Sequence, residues 1–389
     1  MKRITVLGST GSIGTQALDC IAQSPEEFSC VCLCAGKSAK ALARQSNRFR
    51  PELIGVFDPS AVTELRELLE YKPEIVQGES APEICAKYDA DIVVNGISGM
   101  NGFLPLIAAI ETGKTIAAAN KESIVCAHGI LDLLKTDKSN PLTARFKSGA
   151  KIIPVDSEQS AIFQCLENRE NVKSLILTAS GGAFLHKTRA ELERVTLNDA
   201  LCHPTWSMGK KITIDSASLF NKGLEIMEAA FLFGFGADDI EVLIHPESIV
   251  HSAVRFYDGS IKAQLAVPDM RCAIQYAFTY PKRLKSPAAP LDLTSRPLTF
   301  YHPDREKYPA IDLAYEALRE GNALPIVYNA ANEKAVELFM QNKCSFTDIA
   351  EIVAYSMKRA DTHVKSTSVC DIIEIDKKAR IDAELYRQK

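Results

Sequence analysis

Three stretches of the sequence carry side chains whose types and spacing could do chemistry. Asp156-Ser157-Glu158 follows the apolar run Lys151–Val155. Alternation along that strand places Asp156 and Glu158 on one side. Asn221-Lys222-Gly223-Leu224-Glu225 reads as helix. There Asn221 and Lys222 stand four and three residues before Glu225, so the polar groups share a face. The carboxylates of Asp156, Glu158 and Glu225 together would suit a hard divalent ion such as Mg²⁺ or Mn²⁺. Taken alone, such acids are also common on solvated surfaces.

The third stretch is Gly8-Ser9-Thr10-Gly11-Ser12-Ile13-Gly14, set between the apolar run Arg3–Leu7 and the helical pattern Thr15–Ile21. Glycines allow a tight turn and let backbone N–H groups approach a pyrophosphate at a helix N-terminus. In this context the spacing predicts a dinucleotide cradle. An NAD site carries Asp or Glu about 20 residues further on. Here Cys34-Ala35-Gly36-Lys37-Ser38 offers a lysine and no acid. A 2′-phosphate needs such a cation, so NADPH is favoured over NADH. Two further stretches are less specific. Thr178–Phe184 contains Ser180-Gly181-Gly182, which would serve as an anion cradle or as a plain turn. His203–Gly209 holds the one tryptophan, Trp206, and reads as a closing loop or as a tight turn with a core tryptophan.

The elements that must position these groups follow from periodicity. Over residues 1–150, short apolar runs at Arg3–Leu7, Ser29–Cys34, Leu53–Phe57, Asp91–Asn95 and Thr115–Ala119 alternate with helical patterns. Together with Lys151–Val155, that pattern predicts a Rossmann-type parallel sheet. Residues 151–280 mix strand-like runs (Ser174–Leu177, Val242–Ile244, Ile261–Val267) with the helical run Asn221–Phe233, which reads as a central α/β or α+β domain, with the candidate closing loop inside 200–211. The proline-rich stretch 281–309 predicts an extended linker, and apolar stripes over 310–389 predict a C-terminal helical bundle.

Composition sets the outer bounds. The chain has 389 residues, 46% hydrophobic and 24% charged, with a net charge of -4. That is globular usage, with no electrostatic ground for a nucleic-acid or membrane partner. No apolar run reaches the roughly 18 residues of a membrane span, and the N-terminus lacks a signal-peptide core. The 11 cysteines include no Cys-x-x-Cys pair. They read as buried reduced thiols, as expected in the cytoplasm.

The motifs Gly8–Gly14, Ala118–Ser123, Val155–Glu158, Ser180–Gly182, His203–Gly209, Asp215–Ala217, Asn221–Glu225 and His245–Ser252 occur in one fixed order. With Ala263–Leu265, Pro268–Arg271 and Tyr280–Arg283 they resemble the 1-deoxy-D-xylulose-5-phosphate reductoisomerase family. The resemblance implies NADPH-dependent isomerisation and reduction of 1-deoxy-D-xylulose 5-phosphate to 2-C-methyl-D-erythritol 4-phosphate. It also implies a divalent metal (magnesium, manganese or cobalt) and a homodimer. Thr10, Gly11, Ser12, Ile13, Gly36, Lys37 and Ser38 would hold the cofactor, with Asn120, Glu122 and Gly209 near it. Asp156, Glu158 and Glu225 would bind the metal. Lys121, Ser157 and Glu158 would meet the reacting end of the substrate. Ser180, Ser216, Asn221, Lys222 and His203 would hold its phosphate. His203 and Trp206 also join Lys121, Glu158 and Glu225 as catalytic candidates, with His251 a weaker one behind them. Retro-aldol cleavage with re-addition and a direct α-ketol shift both fit this apparatus. The chain departs from the family pattern at Ser38, where Asn is frequent, at Ala183 and at Cys272.

Overall fold

A computed structural model describes residues 1–136, 149–166, 168–202, 206 and 208–386. Its strands are β1 (Lys2–Leu7), β2 (Phe28–Ala35), β3 (Leu53–Val56), β4 (Glu74–Gln77), β5 (Ile92–Asn95), β6 (Thr115–Ala118), β7 (Lys151–Pro154), β8 (Val172–Ala179), β9 (Ile240–Ile244), β10 (Val250–Phe256) and β11 (Ile261–Leu265). Its helices are α1 (Ser12–Gln23), α2 (Ala39–Phe49), α3 (Val62–Leu68), α4 (Ala81–Lys87), α5 (Phe103–Glu111), α6 (Lys121–Thr136), α7 (Ser157–Cys165), α8 (Arg189–Leu192), α9 (Leu197–Ala200), α10 (Lys210–Ser218), α11 (Phe220–Phe233), α12 (Arg271–Thr279), α13 (Ala310–Glu320), α14 (Leu324–Met340), α15 (Asp348–Arg359) and α16 (Val369–Leu385). The chain packs as two units.

The first unit comprises Met1–Ser123, the described part of Ser139–Ser160, and Asp269–Ala289. Its seven strands run parallel in the order β4-β3-β2-β1-β5-β6-β7. Burial explains why β1, β2, β3 and β5 read as near-continuous apolar runs. β4 escapes sequence reading because it is an edge strand with only Ile75 and Val76 apolar, both half-buried. The order reverses between β1 and β5, which opens a crevice at the carboxyl ends of those strands. Helix α12 packs in this unit. Phe278 meets Phe28 edge-on at 5.6 Å, and the Phe278 carbonyl accepts the Lys2 ammonium at 2.6 Å.

The second unit comprises the described part of Ile124–Lys138, Ala161–Pro268 and Pro290–Lys389. Its sheet has the order β11-β10-β8-β9, with β8 and β9 parallel and β10 antiparallel to both β8 and β11. Helices α10, α11 and α13 to α16 also belong to it. Residues 281–309 hold neither helix nor strand. Part of that stretch is pinned to the sheet. His245 Nδ1–H donates to the Thr299 carbonyl at 2.8 Å, and Tyr301 bridges Ile244 of β9. The expected Rossmann-type sheet, central α/β region and helical C-terminus are therefore all present.

All 11 cysteines are free, and most are buried. Burial pushes the Cys20 and Cys30 thiols up to about 12, which makes them inert. Among the described residues, no helix is long and apolar enough to cross a membrane.

His128 of α6 is buried within the second unit. Its Nδ1–H donates to the Val125 carbonyl at 2.9 Å, its Nε2 meets the Ser366 hydroxyl at 3.1 Å, and its ring stacks on Phe231 at 4.7 Å. Burial holds its pKa below the ordinary value, outweighing the Val125 carbonyl and Asp132, which act the other way. An unfolded histidine titrates near pH 6.5. Below that pH the unfolded chain binds a proton that the folded chain refuses, so stability falls as pH falls. Urea unfolding between neutral pH and pH ~5 should show this loss, at up to about 1.4 kcal/mol per pH unit. The loss should be shallower in His128→Phe; equal slopes in the two proteins would remove His128 as the cause.

Candidate active site

In the first unit, the turn after β1 is built for close approach. Gly8 has φ +74°, and a Cβ there would lie 2.7 Å from the Gly96 carbonyl oxygen. A Cβ on Gly14 would lie 2.3 Å from the Gly8 oxygen. Only glycine fits either place. Helix α1 then starts at Ser12 behind Gly11, with no side-chain cap and no acid in its first turn. Its first N–H groups and positive end are therefore left to an anion. Thr10, Gly11, Ser12 and Ile13 all lie on this turn. Gln45 of α2, which sequence reading did not single out, donates to the Ser9 carbonyl at 2.8 Å and pins the turn from outside.

Past β2, Gly36, Lys37 and Ser38 are exposed, and Ser38 stands at the uncapped start of α2. An acid does stand nearby, but it comes from the next strand. The Asp58 N–H donates to the Gly36 carbonyl at 3.1 Å. The Ser60 hydroxyl and N–H hold the Asp58 carboxyl below its usual range, with a smaller contribution from Lys37. Asn120 is buried. Its amide donates to the Ile97 and Gly99 carbonyls, and its oxygen accepts the Ser123 N–H, tying the loop after β5 to the start of α6. Glu122 is half-buried in the first turn of α6.

Lys121 opens α6, and its ammonium lies 2.7 Å from Asp156, with both side chains largely shielded. Strand alternation does not place Asp156 and Glu158, contrary to the sequence expectation. β7 ends at Pro154, and the Asp156 carbonyl already accepts the Ser160 N–H, the first bond of α7. Asp156 is thus an N-cap residue, with Ser157 and Glu158 in the first turn. An acid there is favoured by the helix dipole. Ser157 donates its hydroxyl to Glu158 Oε2 at 2.5 Å.

In the second unit, β8 runs into Ser180-Gly181-Gly182. Both glycines have positive φ, +86° and +67°. A Cβ on Gly182 would lie 2.4 Å from the Ser216 carbonyl oxygen, so this loop rests on α10 at Ser216. Just past the loop, the buried Lys307 ammonium donates to the Phe184 and Leu185 carbonyls at 2.7 and 3.0 Å. Burial lowers its pKa. The proline-rich stretch gave no sequence sign that one of its lysines would reach inward.

Leu219 joins α10 to α11 in the left-handed region at φ +60°, a costly conformation for a branched side chain. Beyond this joint, helical spacing brings Asn221, Lys222 and Glu225 together. Glu225 is fully buried and accepts from the Asn221 amide and the Lys222 ammonium. Lys222 also donates to the Thr178 carbonyl of β8. Gly209 is the exposed N-cap of α10. Trp206 is half-buried, with its ring 6.5 Å from that of buried His251, whose Nε2 lies 3.3 Å from the Val267 carbonyl. Within the expected loop 200–211, His203, Pro204, Thr205 and Ser207 lie outside the described residues.

A parallel sheet with a glycine turn at its switch point, joined to a mixed-sheet unit with a shielded acid and lysine, defines a Rossmann-type oxidoreductase. Family models match in three consecutive parts. They are 1-deoxy-D-xylulose 5-phosphate reductoisomerase over residues 4–128, its C-terminal domain over 152–233, and the DXP reductoisomerase C-terminal domain over 265–382. The chain belongs to the 1-deoxy-D-xylulose 5-phosphate reductoisomerase family. It is 47% identical to the enzyme of that name from Chloroherpeton thalassium, covering 98% of this chain and 97% of the relative. The solved reductoisomerase from Zymomonas mobilis in complex with NADPH superposes with TM-score 0.90 at 39% identity, covering 100% of this chain and 99% of that one. A second solved reductoisomerase, in complex with NADPH, fosmidomycin and magnesium, gives 0.92 at 36% identity, covering 100% and 98%.

Gly223 lies between the polar residues of α11. A Cβ there would be 1.9 Å from the hydroxyl of fully buried Tyr328, which donates to the Ala310 carbonyl at 3.0 Å. Gly223→Ala should therefore lose about 1–3 kcal/mol to overpacking, despite the better helix propensity of alanine. Thermal unfolding checks this, and a stabilised variant would contradict it.

Proposed function

We propose that the chain converts 1-deoxy-D-xylulose 5-phosphate to 2-C-methyl-D-erythritol 4-phosphate in the non-mevalonate route to isoprenoids. The observation that carries this reading is a full-length match to reductoisomerases solved with NADPH, fosmidomycin and magnesium. The open N-terminus of α1 supports it from the chain's own geometry. In this division of labour, residues 1–150 bind the dinucleotide, 151–280 carry the chemistry, and the linker 281–309 leads to the bundle 310–389.

The turn Gly8–Gly14, with Thr10 to Ile13, takes the pyrophosphate, while Lys37 and Ser38 take the 2′-phosphate. Gly36, Asn120, Glu122 and Gly209 complete the cofactor surroundings. NADPH supplies the hydride that reduces the rearranged aldehyde. Asp156, Glu158 and Glu225 form an oxygen-only donor set, which fits a hard divalent ion. Bound there, the ion supplies Lewis acidity to the substrate ketone and its neighbouring hydroxyl.

The residues of the chain do the rest. Lys121 and Ser157 present an ammonium and a hydroxyl to the oxygens of the reacting carbons. Lys121 also balances the charge of Asp156. Ser180, Ser216, Asn221, Lys222 and His203 hold the phosphate, far from the reacting carbons, so its binding energy positions them. Trp206 supplies an apolar cover that keeps water from the aldehyde.

We also infer a homodimer located in the cytoplasm. β11 is the edge of its sheet, with Ile261 and Leu265 exposed at 54% and 36%. An uncovered apolar edge is suited to pairing with a second copy. Eleven free cysteines, most of them buried, suit a reducing compartment. Light scattering should give about twice the chain mass, and Ile261→Lys should shift it toward one. A monomeric native chain would overturn the dimer.

NADPH oxidation should require both 1-deoxy-D-xylulose 5-phosphate and added magnesium or manganese. Glu225→Gln should lower kcat by about two decades with a smaller change in KM, since the loss falls on developing charge. Full activity in excess chelator, or a pure KM effect, would sink the metal assignment.

A further inference from the structure

Helix α14 packs against both α10 and α11 but contributes none of the proposed phosphate ligands. Asp215, immediately before Ser216 on α10, has only 1% of its surface exposed. Lys211, one turn earlier, lies 2.7 Å from one of its oxygens. The fully buried Asn332, midway along α14, donates its amide to the other at 2.9 Å. A buried carboxylate that loses such a partner is strongly disfavoured. Helix α10 therefore has one favoured rotation, the one that turns Asp215 to α14. Ser216 is the next residue on the same rigid helix, so that rotation also aims its hydroxyl.

The same face of α14 grips the next helix. Tyr328 stands one turn before Asn332, and its hydroxyl fills the space that Gly223 leaves open on α11. Burial, reinforced by the Asp215 charge, keeps that phenol protonated and donating. Two residues four apart on α14 thus index α10 and α11 on either side of the left-handed joint at Leu219.

We propose that Asn332 is a positioning residue for the anion site, acting through Asp215 to set the Ser216 hydroxyl against Asn221 and Lys222. This rests on the reading of Ser216 as a phosphate ligand. Sequence gave no sign of it, because Asn332 is 117 positions from Asp215.

The test is steady-state kinetics of the full-length enzyme as Asn332→Leu, Ser216→Ala and the double variant. Asn332→Leu should raise KM for the phosphorylated substrate about tenfold, with kcat changed less than about threefold and KM for NADPH unaltered. In the double variant KM should match Ser216→Ala alone within about twofold, because a residue that acts through Ser216 has nothing left to position. Should Asn332→Leu fail to fold, Lys211→Met removes another partner of Asp215 and should show the same dependence on Ser216. A folded Asn332→Leu with normal KM, or single effects that simply multiply, overturns the proposal. A normal KM in Ser216→Ala overturns the phosphate assignment and the positioning role with it. A native chain inactive on this substrate overturns the functional reading itself.

Discussion

Around α11, the second unit is shaped by a carboxylate taken out of water. Glu225 has no exposed surface, and an isolated buried charge is prohibitive in a protein interior. Lys222 and Asn221 compensate it from the preceding turn of the same helix, and Lys222 satisfies a further bond on the Thr178 carbonyl. That compensation requires α11 to begin where it does, directly after the strained Leu219. The opposite face of the same helix carries Gly223, where a bulkier residue would collide with Tyr328. The joint follows from the need to hold a charged group ready without solvent.

Much of the fold was legible because burial imposes period on sequence. β1, β2, β3 and β5 are mostly apolar where they are buried, and each is visible as a run. The strands that escaped lack that imprint. β4 lies at a sheet edge with polar ends. β10 is mostly buried yet contains His251, Ser252 and Arg255. Ser252 is accommodated through the Thr178 N–H of the adjacent β8, and Arg255 through Glu241 of β9, one strand further across the sheet. Such partners come from other strands, so no local pattern announces them.

The candidate site divides in the same way. Asn221, Lys222 and Glu225 were grouped from spacing because helix geometry alone brings them together. The glycine turn was legible because each of its glycines answers a nearby backbone atom. Strand alternation is the wrong explanation for the placement of Asp156 and Glu158. Asp-Ser-Glu after an apolar strand is also a helix start, and the N-cap bond decides the geometry. Gln45, Lys307 and Asn332 were invisible, since each acts on a backbone or side chain far away in sequence.

The two halves of the dinucleotide site differ in how freely they can change. Gly8 and Gly14 are locked by collisions with backbone, which cannot yield, so the turn admits almost no drift. Gly36, Lys37 and Ser38 face solvent, and a Cβ on Gly36 would meet nothing within 4 Å. Substitution there carries no folding penalty of its own. If residues 36–38 take the 2′-phosphate as proposed, a change of preference between phosphorylated and unphosphorylated nicotinamide cofactors falls to them, while the turn Gly8–Gly14 stays fixed.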